Sequence, residues 1–149
     1  MAKFHAVNLG GWFVLERWMK PALFEGHPIP KRCETSFVTH HPDPASALQE
    51  HWSTWIVADD IHWLKNHGID LVRIPIPWWL FPDRYPAPYN YVSPLEYLDR
   101  AMDFIGQAGM KVMLDLHTAP GSQNGFDNGG IEGVLTWHLD PANIDLTVA

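Results

Sequence analysis

The sequence of 149 residues lacks most of the features that would tie it to a membrane, a nucleic acid or an oxidising compartment. It has no apolar run of about 18 residues or more, so it offers no membrane-spanning helix. Its 10 Lys and Arg are outnumbered by 17 Asp and Glu and form no cluster, which argues against a phosphate-backbone partner. One cysteine, Cys33, cannot form an internal disulfide. We therefore expect neither a membrane nor a nucleic acid among the partners.

Motifs for metal, nucleotide and serine chemistry are also missing. There is no H-E-x-x-H and no pair of cysteines, and His62 and His67 are spaced too far apart to share a helical face well. The glycines of NLGGWF do not follow G-x-G-x-x-G, and Ser122 in PGSQNG lacks the G-x-S-x-G context. We expect no metal and no cofactor.

The N-terminal stretch, MAKFHAVNLGG, lacks the long apolar segment of a secretory signal peptide. Two locations fit this observation: the cytoplasm, or the outside of the cell after processing. The sequence leaves the localisation open.

Aromatic residues are abundant, with eight Trp, seven Phe and four Tyr, and so is proline, with 13. Such rings either fill a large core or form stacking surfaces, for which sugar rings are a natural partner. For any single tryptophan the two interpretations are about equally good.

The sequence contains clear signals for the starts and ends of helices. SPLEYLDRAMDFIGQAG predicts an amphipathic helix with Ser93 as N-cap, Pro94 at its first position and Gly109 as its stop. DPASALQEHWSTWIVADDIHWLKNHG predicts a single second helix that begins after Asp43 and ends at Gly68. In LDPANIDLTVA, the pair Asp140 and Pro141 predicts the start of a third.

Short runs rich in Val, Ile and Leu follow the first two stop glycines. IDLVRIPI and MKVMLDLH are typical of strands buried on both faces, as in a parallel sheet. FHAVNLGGWFVL is a third candidate strand, followed by an irregular insertion from Met19 to Pro42. The resulting β, α, β, α, β, α order predicts an α/β fold, and both a doubly wound sheet and a (β/α)8 barrel fit it.

Polar residues collect where the predicted strands end: Glu16, Arg73 and His117. In a barrel these positions share the C-terminal rim, where such enzymes place their chemistry. Arg73 has two interpretations, a structural ion pair or a group that holds a catalytic carboxylate. His117 is either a satisfied core histidine or part of the site, and Asp115 is more often a hydrogen-bonding residue of the barrel interior than a catalyst.

Four segments resemble the successive motifs of glycoside hydrolase family 5, in its exo-β-1,3-glucanase branch known from yeasts. They are VNLGGWFVLERWMKPALFE, HWSTWI, GIDLVRIPI and YLDRAMDFIGQAGMKVMLDLHTAPGSQNGFDNGG. The resemblance covers nearly the whole chain, and APGSQNGFDN is its most specific part. It implies a (β/α)8 TIM barrel, of which residues 1–149 are the N-terminal part of a single glycosidase domain, covering about strands 1–3 and the start of helix 3.

The resemblance also implies a retaining hydrolase that releases glucose from β-1,3-glucan by means of two glutamates. Both glutamates are expected beyond these 149 residues, so the chain carries no catalytic residue of its own. Arg73 and His117 are implied as supporting residues. The implied sugar-binding residues are Glu16, Arg73, His117, Asn124, Phe126 and Asp127.

The sequence departs from the family pattern in three places. Arg17 stands where proline is usual, Thr118 stands where glycine is common, and the lone Cys33 means that the disulfides of secreted yeast relatives are absent. Glu132, or Glu16 facing Asp127, is a weaker candidate for a substitute acid.

A non-catalytic glucan-binding or inactive barrel fragment is the alternative function. A glucan or oligosaccharide is the expected ligand in either case. Because three strands of a barrel leave open apolar edges, we also expect the remaining part of the barrel, or self-association, to be needed.

Overall fold

The structure is a computed structural model that describes residues 3–81 and 92–148. The described residues form three strands with helices between them, which is the α/β order that the sequence predicts, but the helices number five rather than three. In chain order they are β1 (Ala6–Asn8), α1 (Glu34–His40), α2 (Pro44–Thr54), α3 (Ala58–Asn66), β2 (Leu71–Ile76), α4 (Leu95–Gln107), β3 (Lys111–Leu116) and α5 (Pro141–Val148). Short 3-10 turns lie at Pro21–Phe24, Asp127–Gly129 and Trp137–Leu139. No helix of these described ranges is long and apolar enough to cross a membrane.

The three strands form one parallel sheet in the order β1-β2-β3. The register pairs Asn8 with Arg73 and Arg73 with Met113. Parallel neighbours need a crossover between them, and helices supply each one here. All three strands therefore end at the same edge of the sheet, as the barrel interpretation requires.

One face of the sheet packs against the helices and forms the core. Val72 and Ile74 of β2 are fully buried there, together with Leu48 of α2, Ile61 of α3 and Ile105 of α4. Because side chains alternate across a strand, Arg73 lies on the opposite face from Val72 and Ile74. The charged residue thus avoids the apolar core.

The prediction that the strands are buried on both faces is wrong for β3. Met113, Leu114 and Leu116 are about half exposed. Met113 lies on the face of Arg73, whereas Leu114 and Leu116 lie on the face of Ile74. β3 is an outer strand of the described sheet and has β2 as its only strand neighbour there, so its run of apolar residues does not translate into burial.

The predicted single helix from Asp43 to Gly68 is two helices. Its start is confirmed, because Asp43 Oδ1 accepts the N–H of Ser46 at 3.2 Å, and so is its end at Gly68 with φ of +82°. Between α2 and α3, however, Val57 is extended, and its N–H donates to Asp60 Oδ2 at 3.0 Å. This side-chain bond starts a new helix at Ala58, in a stretch where β-branched residues weaken the first one.

The insertion from Met19 to Pro42 is not irregular, since it contains α1 and the turn at Pro21–Phe24. Phe37 of α1 is fully buried and meets Phe24 edge to face at 5.3 Å between ring centroids. A seven-residue helix is too short to produce a clear hydrophobic period. The first strand is correspondingly shorter than FHAVNLGGWFVL, because the chain turns at Gly11, where φ is +67°.

The other two predicted helix starts agree with the structure to within one residue. Ser93 Oγ accepts the N–H of Leu95, but Pro94 is the N-cap and α4 begins at Leu95. Asp140 Oδ1 accepts the N–H of Ala142 at the start of α5. The predicted helix starts agree with the structure because capping hydrogen bonds are made between residues close in sequence.

Candidate active site

The face of the sheet opposite the helices carries a cluster of four polar side chains, which we name the rim cluster: Asn8, Arg73, Asp115 and His117. Asn8 and Arg73 are register partners on β1 and β2. Asp115 lies two residues beyond Met113, the partner of Arg73 on β3, and His117 lies two residues further on. Spacings of two keep side chains on one face of a strand, so the parallel register alone brings these residues together.

Asp115 is the acceptor around which the rim cluster is arranged. Its Oδ2 lies 2.6 Å from Arg73 Nη2 and 2.7 Å from His117 Nδ1, and Arg73 Nη1 donates to Asn8 Oδ1 at 2.8 Å. A guanidinium has no acceptor, so the 3.3 Å approach of Arg73 Nη2 to His117 Nδ1 is a contact between two donors once His117 donates to Asp115. Because a carboxylate can only accept, the shorter contact with Asp115 assigns the proton of the neutral imidazole to Nδ1, and in that tautomer Nε2 is the nitrogen that can accept from a bound hydroxyl.

The ion pair of Arg73 and Asp115 is partly open to solvent. Their side chains are 35% and 26% exposed, and His117 is 20% exposed. Ion pairs at such exposure contribute little to stability, but two charge-assisted hydrogen bonds fix the orientation of the guanidinium and the imidazole. The structural ion pair considered for Arg73 is present, and Asp115 accepts hydrogen bonds from both Arg73 and His117.

Glu16 lies after β1 but shares no described hydrogen bond with the rim cluster. Its Oε2 accepts the indole N–H of Trp18 at 3.0 Å. Trp18 is 72% exposed, so its indole ring forms an open aromatic surface beside the carboxylate of Glu16. Sequence reasoning missed Trp18, although its position two residues after Glu16 was a usable signal.

The glycine- and amide-rich loop after β3 is held by its own side chains. Gln123 accepts the N–H of Ala119 and donates Nε2–H to the carbonyl of His117 at 2.7 Å. Ser122, buried and at a φ of +57°, accepts the N–H of Gly125 at 2.9 Å. Asn124 donates to Asn128 Oδ1 and accepts the N–H of Phe126, each at 2.9 Å. The polar composition of APGSQNGFDNGG is therefore explained by internal bracing.

The tip of this loop presents an aromatic ring and a carboxylate side by side. Phe126 is 68% exposed, the fourth-largest value among the exposed large apolar residues of the described ranges, after Val148, Trp18 and Leu139. Asp127 is half-buried, and its Oδ1 accepts the N–H of Asn128 at 3.0 Å. An open ring next to a carboxylate suits a ligand that offers a flat apolar face and hydroxyl groups.

The base of the loop packs onto Trp79, which follows β2. A Cβ at Gly130 would lie 2.4 Å from Trp79 Cη2, and the φ of Gly130 is +84°. Thr118, which departs from the family pattern, is buried and accepts the N–H of Trp78 at 2.9 Å. The loops after β2 and β3 are thus joined by a ring contact and a hydrogen bond.

A buried carboxylate, Glu34 at the start of α1, lies beneath these loops. It is 1% exposed, and its two oxygens accept the N–H of Leu15 at 2.9 Å and Trp79 Nε1–H at 3.3 Å. Burial raises the pKa of Glu34 to about 7, and the two hydrogen bonds partly oppose that rise. Sequence reasoning missed Glu34, because it lies in the insertion that carried no clear pattern.

The family described as Cellulase (glycosyl hydrolase family 5) matches residues 34–138. This match covers more than half of the 149 residues. The chain therefore belongs to glycosyl hydrolase family 5, and the resemblance stated from its motifs is confirmed.

Relatives within the family carry a more specific name. The chain is 42% identical over 150 residues to a glucan 1,3-beta-glucosidase of Pichia angusta, covering 98% of this chain and 34% of the relative. It is 45% identical over 133 residues to a probable glucan 1,3-beta-glucosidase A of Aspergillus fumigatus, covering 88% of this chain and 32% of the relative. The chain thus spans about a third of the length of the curated relatives that it matches.

Solved structures support the same architecture. Rutinosidase from Aspergillus niger superposes with a TM-score of 0.86 at 26% identity, covering 97% of this chain and 41% of that protein. AoRut superposes with a TM-score of 0.82, also at 26% identity and with the same coverage. The predicted fold class is confirmed: the three parallel strands and their helices are part of a (β/α)8 barrel.

Replacing Gly130 by alanine should destabilise the protein strongly. The new Cβ would meet the ring of Trp79 and would sit at a positive φ. We expect the free energy of unfolding in urea to fall by more than about 2 kcal/mol in the full-length protein. Gly26→Ala is the matched control, since Gly26 has a φ of +76° with nothing within 4 Å of the added atom. Equal losses for the two variants would contradict the packing argument.

The burial of Glu34 should make stability depend on pH. Its pKa in the folded protein, about 7, exceeds the ordinary value of 4.5, so the folded state binds the proton more tightly than the unfolded state. The stability that Glu34 contributes relative to Glu34→Gln is therefore fully present below pH 4.5 and is lost as the pH rises through about 7.

Urea unfolding of both proteins between pH 4 and 8 measures this contribution. We expect the difference in unfolding free energy to shrink with rising pH by up to about 3 kcal/mol. A difference that stays constant, or that grows with pH, would contradict the raised pKa.

Proposed function

We propose that this chain is part of a retaining exo-β-1,3-glucan hydrolase that releases glucose. The observation that carries the proposal is that the rim cluster and the loop bearing Phe126 are joined at one edge of the sheet. Gln123 Nε2–H bonds the carbonyl of His117, which ties the loop bearing Phe126 directly to the rim cluster. The identities of 42% and 45% to proteins named as glucan 1,3-beta-glucosidases support the choice of substrate.

In this proposal, different described residues bind different parts of the sugar. Phe126 stacks on a glucose ring, and Asp127 and Asn124 bond its hydroxyl groups. Glu16 contacts the terminal sugar, beside the indole of Trp18. Arg73 and His117, held by Asp115, line the pocket in which the bond is cut and support the reacting carboxylates.

Retaining hydrolysis needs a nucleophile and an acid/base about 5 Å apart. Three described carboxylates are poorly suited to either task. Asp115 is bonded to Arg73 and His117, Glu34 is buried beneath the loops, and Glu132 accepts the N–H of Arg32. We therefore place both catalytic glutamates outside these 149 residues and expect the chain alone to be inactive.

Residues 1–149 are, in this proposal, the N-terminal part of one (β/α)8 glycosidase domain. The half-exposed apolar residues of β3, Met113, Leu114 and Leu116, are the surface that the next part of the barrel covers. Without that cover the same residues would drive self-association.

A non-catalytic glucan-binding fragment is the second candidate. It is favoured by the placement of the aromatic ring: Phe126 is open to a ligand and Asp127 beside it is half-buried, whereas Asp115 and Glu34 are held by protein donors. It predicts sugar binding without turnover.

The full-length protein should release glucose from laminarin. Product analysis by chromatography and the anomeric configuration by NMR test both substrate and stereochemistry, and we expect the β-anomer first. Cleavage of another β-linked glucan with laminarin untouched would overturn the substrate. Binding of laminari-oligosaccharides by calorimetry with no turnover would instead favour the second candidate.

Phe126→Ala should weaken laminari-oligosaccharides by about 1–3 kcal/mol, because an exposed stacking surface is lost. Phe126→Tyr keeps the ring and should change affinity little. Phe4→Ala is the matched control: Phe4 is also exposed, at 46%, but precedes β1 at the other edge of the sheet. Unchanged affinity in Phe126→Ala would show that the ring does not touch the sugar.

A further inference from the structure

The N-terminal end of α1 contacts the loops that follow all three strands. Glu34 accepts the N–H of Leu15 from the loop after β1 and the indole N–H of Trp79 from the loop after β2. The next residue, Thr35, donates both its N–H and its hydroxyl to the carbonyl of Gly130, at the base of the loop after β3. One end of a single short helix thus links three segments that are far apart in sequence.

These contacts form a closed ring that begins and ends at α1. Trp79, held by Glu34, packs against Gly130, which is held by Thr35. The segment before α1 adds two further bonds to the same loop. Lys31 Nζ donates to the carbonyl of Glu132 at 2.8 Å, and the N–H of Arg32 donates to Glu132 Oε2 at 2.9 Å.

The links end close to residues that we place on the sugar. Leu15 immediately precedes Glu16. Gly130 donates its N–H to the carbonyl of Asp127 at 3.0 Å, three residues away. Movement at Leu15 or Gly130 would therefore shift a carboxylate that contacts the substrate.

We propose that Glu34 is a positioning residue that locks the three loops of the glucan pocket together through Leu15, Trp79 and, by way of Thr35, Gly130. This inference rests on the proposed function for its effect on substrate, but the locking itself is a property of the fold. Glu34 touches neither substrate nor reacting atoms.

The chemistry of the site explains why an apolar residue would not serve. Two N–H groups from different loops point at one buried side chain, and each needs an acceptor. A carboxylate has two acceptor oxygens, whereas an amide has one and would turn its NH2 group toward a donor. Charge burial is costly, so a carboxylate in the core indicates a geometric task rather than a gain in stability.

The first experiment follows loop motion by hydrogen exchange in the full-length protein without substrate. Glu34→Gln should speed amide exchange both at residues 13–16 and at residues 124–133, although Glu34 bonds none of the latter. Thr35→Val, which removes the hydroxyl that bonds Gly130, should speed exchange in the second segment and leave residues 13–16 unchanged. Glu50→Gln, an exposed carboxylate on α2, should change neither. Faster exchange confined to residues 13–16 in Glu34→Gln would overturn the locking.

The second experiment asks what the locking does for catalysis. On laminaritriose, Glu34→Gln should lower kcat/KM by at least about tenfold, mainly through a higher KM, because misplaced pocket residues weaken binding. A residue with a purely structural role would reduce the folded fraction and hence the apparent kcat, leaving KM unchanged; that result would overturn the positioning role.

A double variant tests whether Glu34 acts through Trp79. Trp79→Phe removes the indole N–H and keeps a ring, so it should resemble Glu34→Gln, and the double variant should be no worse than the poorer single variant. Additive losses would show that Glu34 does not act through Trp79. Absence of turnover in the unaltered protein would instead refute the proposed function and leave the exchange experiment to decide the locking.

Discussion

The parallel pairing of β1, β2 and β3 determines where the loops and polar side chains of this protein lie. It brings the carboxyl ends of all strands to one edge, so every loop that follows a strand starts there. The register then places Asn8 opposite Arg73, and Asp115 and His117 come onto the same face through spacings of two. The rim cluster is a direct consequence of backbone pairing, and its hydrogen bonds only fix orientations that the sheet has already brought within reach.

Two kinds of polar burial serve two different purposes in this molecule. The pair of Arg73 and Asp115 is a quarter to a third exposed, at a position where substrate is expected, and its charges remain partly solvated. Glu34 is closed off completely, with a pKa raised to about 7 by burial, and it meets backbone and indole donors rather than a cation. The first arrangement suits contact with a ligand, whereas the second suits the joining of protein segments.

The sequence was most informative where signals are local. Asp43, Ser93, Gly109 and Asp140 predicted helix ends because capping bonds and positive-φ turns are made within a few residues. It was misleading where several weak signals compete. The stripe of apolar residues across α2 and α3 hid the break at Val57, which depends on one hydrogen bond to Asp60. Similarly, the apolar character of β3 indicated burial, but burial also requires a neighbour that the described residues do not contain.

The α/β order, the family and the motifs that contain Arg73, His117 and Phe126 can be recognised in the amino-acid sequence, because helix caps, strand spacing and motifs are local. The folded chain was needed to show that Asp115 joins Arg73 to His117, that Trp18 bonds Glu16, and that α1 links the three loops through Glu34 and Thr35. Leu15, Glu34, Trp79 and Gly130 are separated by 19 to 51 residues from one to the next. Contacts over such separations depend on how the chain folds back on itself, and no local pattern encodes them.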